Sequence, residues 1–140
     1  MLKWLVIGAA CVVLIVVAIP VVYSLWTNPR VADELRNDPD GERARKVMLI
    51  SLPSGREIPV NYLRDGETVY AGADGRWWKE LRGEGGRGSV LIRGERLHGH
   101  MRAVEDDAEL RSSVFARLRP TAPDMFGTLV VIELDAAPLE

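Results

Sequence analysis

Apolar positions along this 140-residue chain fall into two regimes. From Leu5 to Trp26 they are almost uninterrupted; from Val47 onward they come in short runs, many alternating with polar residues. The alternation and the β-branched content predict strands at Val47–Leu52, Ile58–Leu63, Thr68–Gly72, Ser89–Arg93 and Arg96–Val104. A last strand, Thr128–Leu134, is apolar on both faces and so is expected to be buried. Turn-forming residues separate the runs at Pro53-Ser54-Gly55, Asp65-Gly66, Asp74-Gly75 and Gly94-Glu95, and Asp-Gly favours type I′ hairpins, which need positive φ. The pattern predicts an antiparallel meander curled into a small barrel: a mainly β (α+β) fold of six antiparallel strands with short helices.

Helical spacing is confined to the gaps. Arg76-Trp77-Trp78-Lys79-Glu80-Leu81-Arg82 fits one or two turns stopped by Gly83, and Gly83–Gly88 then reads as a flexible return to the sheet. Glu105-Asp106-Asp107 suits the positive end of an amphipathic helix carrying Leu110, Val114 and Leu118 at i,i+4, ended by Pro120 and Pro123. Residues 27–46 read as a polar linker in preference to a short helix opened by Pro29. In the helical alternative Val31 and Leu35 would form an apolar pair docking on the barrel.

The first 26 residues hold one charged side chain, Lys3. As a helix, Leu5 to Trp26 would span roughly 33 Å, enough for a bilayer core. Trp4, Tyr23 and Trp26 fall where amphipathic rings favour the interface, and Pro20 is expected to kink the last third. The run is too long for a signal-peptide core and lacks a small-x-small cleavage pattern before Trp26. Arg30, Arg36, Arg43, Arg45 and Lys46 outnumber the cations on the N-terminal side, which places the folded part in the cytoplasm. The expected organisation is therefore a transmembrane anchor at 1–26 held in membrane lipid, a linker or short helix at 27–46, and the barrel at 47–140. The protein is expected to be a single-pass protein of the cell membrane.

Composition narrows the chemistry. Cys11, inside the apolar segment, is the only cysteine, so no intramolecular disulfide forms. The formal net charge is −2, which argues against a nucleic-acid partner. His98 and His100 share a strand face but have no third ligand beside them, so no metal is expected. Nothing around Ser51, Ser54 or Ser89 resembles a nucleophile motif, and no catalytic residue is nominated.

The segments and their order resemble the deazaflavin-dependent nitroreductase family, a split β-barrel related to flavin-binding folds. VMLISLPSGREIPVNYLRDGETVYAG is similar to that family's paired strands, RWWKELRG to its Trp-Tyr-x-Asn-Leu helix, HGHMRAVEDDAELR to its strand entering an acidic helix, and LVVIEL to its closing strand. The resemblance implies a deazaflavin cofactor of the coenzyme F-420 type, with FMN as second choice. It implies contacts from Arg56 to the cofactor's anionic part, from the turn at Ala73 and Gly75, from Arg76, and from Trp77 to the ring. Two departures matter: Glu57 and Asp74 stand where the family has lysines. The family's C-terminal tyrosines are also missing; the tyrosines here are Tyr23, Tyr62 and Tyr70.

Two functions follow as expectations. The first is a membrane-anchored deazaflavin- or flavin-dependent oxidoreductase-like protein passing hydride to a small lipophilic acceptor such as a quinone or nitro compound. The second is a non-catalytic split barrel that binds a ligand or partner without any cofactor, having lost the phosphate site. A homodimer is a third expectation, in which a second chain supplies the missing cations.

Overall fold

The computed structural model describes residues 1–121 and 127–136, without the side chains of residues 20 and 23–27. The expectations for Pro20, Tyr23, Trp26 and Pro123 lie outside what is described. Six strands form a closed antiparallel barrel: β1 (Val47–Ser51), β2 (Glu57–Asp65), β3 (Thr68–Ala73), β4 (Gly86–Ile92), β5 (Glu95–Val104) and β6 (Thr128–Leu134). Their order around the barrel is β1-β2-β3-β6-β5-β4, with β4 closing onto β1. The chain is thus not one meander. β3 leaves through Asp74-Gly75 into a short 3₁₀ helix, Trp77–Leu81, and its next neighbour in the sheet is the last strand.

Alternation sorts the strand residues as the period of two requires. Met48, Ile50, Val60, Val69, Val90, Met101, Val130 and Ile132 point inward and fill the barrel. β6 is buried on both faces because α2 (Ala108–Leu118) lies over it. Val114 and Phe115 of α2 pack on Leu129, Val131 and Val104, with Leu63 and Tyr70 alongside. Asp107 caps α2 by accepting from the Leu110 amide, satisfying one of its free N–H groups.

Two turns differ from the Asp-Gly expectation. At the β2–β3 hairpin the loop is Gly66-Glu67, and only Gly66 has positive φ, so it is not type I′. The residue pair with both φ positive is Arg93-Gly94, at 49° and 82°, which joins β4 to β5. The glycine-rich return is also shorter than expected, since Gly86 already pairs with Met101 in the sheet.

The largest difference lies upstream. α1 is one helix from Leu2 to Asn37, so the favoured polar linker is helical over most of its first half, and Pro29 sits inside it. Its Leu2–Ile19 stretch is long and apolar enough to cross a membrane, and none of it is buried. Its far end docks on the barrel: Ala32 and Leu35 pack against Leu49 and Leu91, with Val31, Val47 and Ala44 alongside. Burial of those side chains, rather than helix propensity, explains why a charge-rich segment stays helical.

Leu35→Ala is expected to cost about 2–3 kcal/mol of stability, because a side chain only 3 % exposed is deleted against barrel residues. Thermal denaturation, with hydrogen exchange of residues 28–37, checks this. A second expectation concerns the ion pair of Arg117 with Asp65 at 2.8 Å, which ties α2 to the β2–β3 hairpin. The hydrogen bond from Arg117 holds the Asp65 carboxyl below its usual 3.8. Its stabilising contribution is therefore complete above about pH 4 and is lost as pH falls through the lower folded-state value. Asp65→Asn should lower stability slightly at neutral pH and flatten the acid limb, so that the two chains converge at low pH; acid titrations of the denaturation midpoint check this.

Candidate functional site

The site begins with a place where two strands part. β2 and β3 are paired from Asp65↔Thr68 up to Tyr62↔Ala71 and no further. Beyond that point Gly72 and Ala73 pair only with β6, while Glu57–Asn61 pair only with β1. The Tyr62 amide donates to the Lys46 carbonyl and the Leu52 amide to the Arg56 carbonyl. Even-numbered residues of β2 therefore bond β1, and by the alternation of antiparallel pairing Pro59 and Asn61 turn their backbone groups toward β3. Pro59 has no N–H to give. The first pair absent is Asn61 with Gly72; one bonded pair further on, Pro59 opposite Asp74 could not donate, so the ladder cannot resume there.

Trp77 fills the gap. It is 8 % exposed and belongs to the barrel core, so its indole closes the wedge between the strands from inside. Outside it lies a groove of about 350 Å³, within the range of small-molecule sites. Ile58, Val60 and Trp77 form its apolar floor; Asn61, Asp74 and Arg119 stand at its polar edge, and Asn28 and Val31 of α1 form a wall.

A charged clamp sits at this edge. Arg119, the residue that ends α2, donates to both carboxylate oxygens of Asp74, at 2.7 and 3.0 Å, and to the Gly72 carbonyl at 2.9 Å. Its guanidinium also lies 5.2 Å from the Phe115 ring centre. Room for it depends on Gly72: a Cβ there would lie 2.6 Å from a guanidinium nitrogen. Glu57 is engaged as well, paired with Arg36 of α1 and 3.9 Å from Arg96. Both acids that stand in place of lysines are thus neutralised by arginines of this chain.

The residues singled out from sequence divide three ways. Gly75 and Trp77 line the groove. Ala73 is buried at the end of β3, and Arg76 is exposed in the turn between Gly75 and Trp77. Arg56 is exposed in the β1–β2 turn, two residues before Ile58 of the groove floor. That turn rests on the Trp77 segment through a hydrogen bond from the Ser54 amide to Glu80. Arg119, Asn61 and Asn28 were not anticipated, and Val31 was expected only as half of an apolar pair docking on the barrel. Arg119 follows a helix and precedes Pro120, with no local sign of a partner 45 residues away. The legible sign was Gly72, since a glycine inside a strand marks the close approach of another group.

His98 and His100 lie on the outer face of β5, both exposed, and a His100 ring nitrogen is 2.6 Å from the Glu84 carbonyl oxygen. Among the described residues no three His, Cys, Asp or Glu side chains gather as a metal site would need.

The clamp predicts a specific coupling. Arg119→Ala should cost about 1.5–3 kcal/mol, the range for hydrogen bonds to a charged group. Gly72→Ala should destabilise the wild-type chain by displacing the guanidinium. In the Arg119→Ala background it should be silent to within about 0.5 kcal/mol, because nothing remains there to displace. Chemical denaturation of the four chains measures the cycle.

No protein-family model matches the chain, and no curated protein matches it in sequence. Among solved structures it is similar to that of a candidate 5-nitroimidazole antibiotic resistance protein from Bacteroides thetaiotaomicron VPI-5482. The identity is 10%, over 77% of this chain and 80% of that one, with a TM-score of 0.43.

Proposed function

We propose that this chain is a membrane-tethered barrel that holds a planar redox cofactor of deazaflavin type, or FMN, in the β2–β3 groove and reduces a lipophilic acceptor. The observation that carries this reading is the parting of β2 and β3 over Trp77. It leaves a groove with an apolar floor, whose rim offers the Pro59 carbonyl and the Asn61 backbone groups, which pair with no β3 residue. A conjugated ring edge needs such donors and acceptors, and its face needs an aromatic or aliphatic floor. When bound, the cofactor supplies hydride, so the absence of a nucleophile motif is no obstacle.

The chain's own residues do the rest. Trp77 and Ile58 set the depth of the ring, Val31 shields one side from water, and Arg56 and Arg76 offer positive charge nearby, neither engaged in an ion pair among the described residues. Tethering fits an acceptor that dissolves in lipid. Asn28, on the groove wall, is nine residues beyond Ile19, about 14 Å along the helix from the apolar stretch. The bias of basic residues toward the C-terminal end of that stretch favours a cytoplasmic barrel.

A second reading has its own observation. Arg119 and Arg36 are consumed by Asp74 and Glu57, so two arginines near the groove are already neutralised. A barrel that binds a neutral ligand without redox chemistry would be built this way.

Titration of the full-length chain in zwitterionic nanodiscs decides between them. The cofactor reading expects saturable quenching of tryptophan emission by the deazaflavin cofactor, with most of the quenched fraction missing in Trp77→Phe. A folded chain that shows no saturable change with either deazaflavin or FMN contradicts it and favours the second reading.

A further inference from the structure

The groove does not end at Asn61. It runs on through Arg43, Val47 and Asn61, which line both it and a larger cleft of about 730 Å³. That cleft lies between the segment leading into β1 and the C-terminal end of α2. Its charged lining is Arg43, Arg45, Lys46 and Arg117 against Glu34 and Glu42. Arg43 is paired with Glu34 at 2.8 Å, and Arg117 with Asp65. Lys46 is only loosely held, 3.8 Å from Glu42, and Arg45 has no carboxylate partner among the described residues. Both are exposed, and exposed pairs of that length contribute little, so an incoming anion displaces nothing of value.

Geometry distinguishes this end from the β1–β2 turn. There Arg56 is followed by Glu57, whose carboxylate Arg36 and Arg96 already occupy. Here three cations fall within four consecutive residues, Arg43 to Lys46, anchored by the fully buried Ala44. The carbonyl of Ala44 accepts from the Tyr62 hydroxyl, fixing the segment to β2. An extended molecule with its ring over Trp77 would lie along Asn61 and bring its far end to these cations.

We infer that the cleft at Arg43, Arg45 and Lys46 receives the phosphate or carboxylate tail of the ligand whose ring occupies the β2–β3 groove. This rests on the proposed function for the position of the ring. The tail site is assigned by the continuity of the trough and by Arg45, which has no carboxylate partner among the described residues, beside the loosely held Lys46.

The test uses the full-length chain in zwitterionic nanodiscs and three probes: the deazaflavin cofactor with its phosphate and glutamate tail, the tail-less ribityl deazaflavin, and inorganic tripolyphosphate at matched ionic strength. The tailed form should bind at least about tenfold more tightly than the tail-less one, since two weakly held cations gain an anion. The Arg45→Glu, Lys46→Glu double variant should erase that difference and leave tail-less binding unchanged, while Arg56→Glu should preserve it. The inference is overturned if the difference survives in the double variant and disappears in Arg56→Glu. Should neither deazaflavin bind, the cofactor reading fails and tripolyphosphate decides the cleft alone. Saturable binding lost in the double variant upholds the anion site; no binding overturns it.

Discussion

The parting of β2 from β3 organises the molecule. Because β2 bonds β1 through its even-numbered residues, its odd-numbered ones must serve β3, and Pro59 cannot donate. The ladder with β3 ends at Tyr62↔Ala71, Pro59 keeps it from resuming, and the last residues of β3 pair with β6 alone. The wedge so opened would expose the barrel core, and Trp77, carried by the short helix that follows β3, closes it. The groove and the clamp of Arg119 on Asp74 lie along this seam, with Asn28 and Val31 of α1 beside it. A non-polar floor and unused backbone polar groups in one place make it the part of the fold best suited to a planar ligand.

Charge is distributed about the seam so that its carboxylates are not left facing a ligand alone. Asp74 is held in a bidentate pair by an arginine whose side chain is 16% exposed, which withdraws its charge more effectively than a surface pair would. Glu57 is held by α1, which links the position of the apolar helix to the start of β2. Of the remaining cations, Arg45 and the loosely paired Lys46 line the larger cleft, while Arg56 and Arg76 stand in the turns after β1 and β3, outside the lining of the groove. In the proposed account α1 is a rigid spacer as well as a tether. Its unbroken course from Leu2 to Asn37 fixes how far the groove stands from the apolar stretch.

The fold was largely legible from sequence because each strand satisfies the period of two and each is bounded by turn chemistry. The same signal could not give the order of strands. Adjacent runs in sequence suggest a meander, whereas β6 enters between β3 and β5, a long-range choice set by which apolar faces α2 can cover. Residues 27–37 read as linker because local composition is polar; their helix depends on Ala32 and Leu35 finding Leu49 and Leu91 in three dimensions. Trp77 and Gly75, which line the groove, are among the residues the family resemblance singles out. Arg119 was not legible, since ion pairs between distant segments leave no periodic trace.

Hydrogen–deuterium exchange of the full-length chain, with and without saturating deazaflavin cofactor, tests the role of the seam most directly. The account predicts slowed exchange at the amides of residues 57–61 and 72–77, with the β4–β5 hairpin unaffected. Protection confined to other strands, or none despite demonstrated binding, would contradict it.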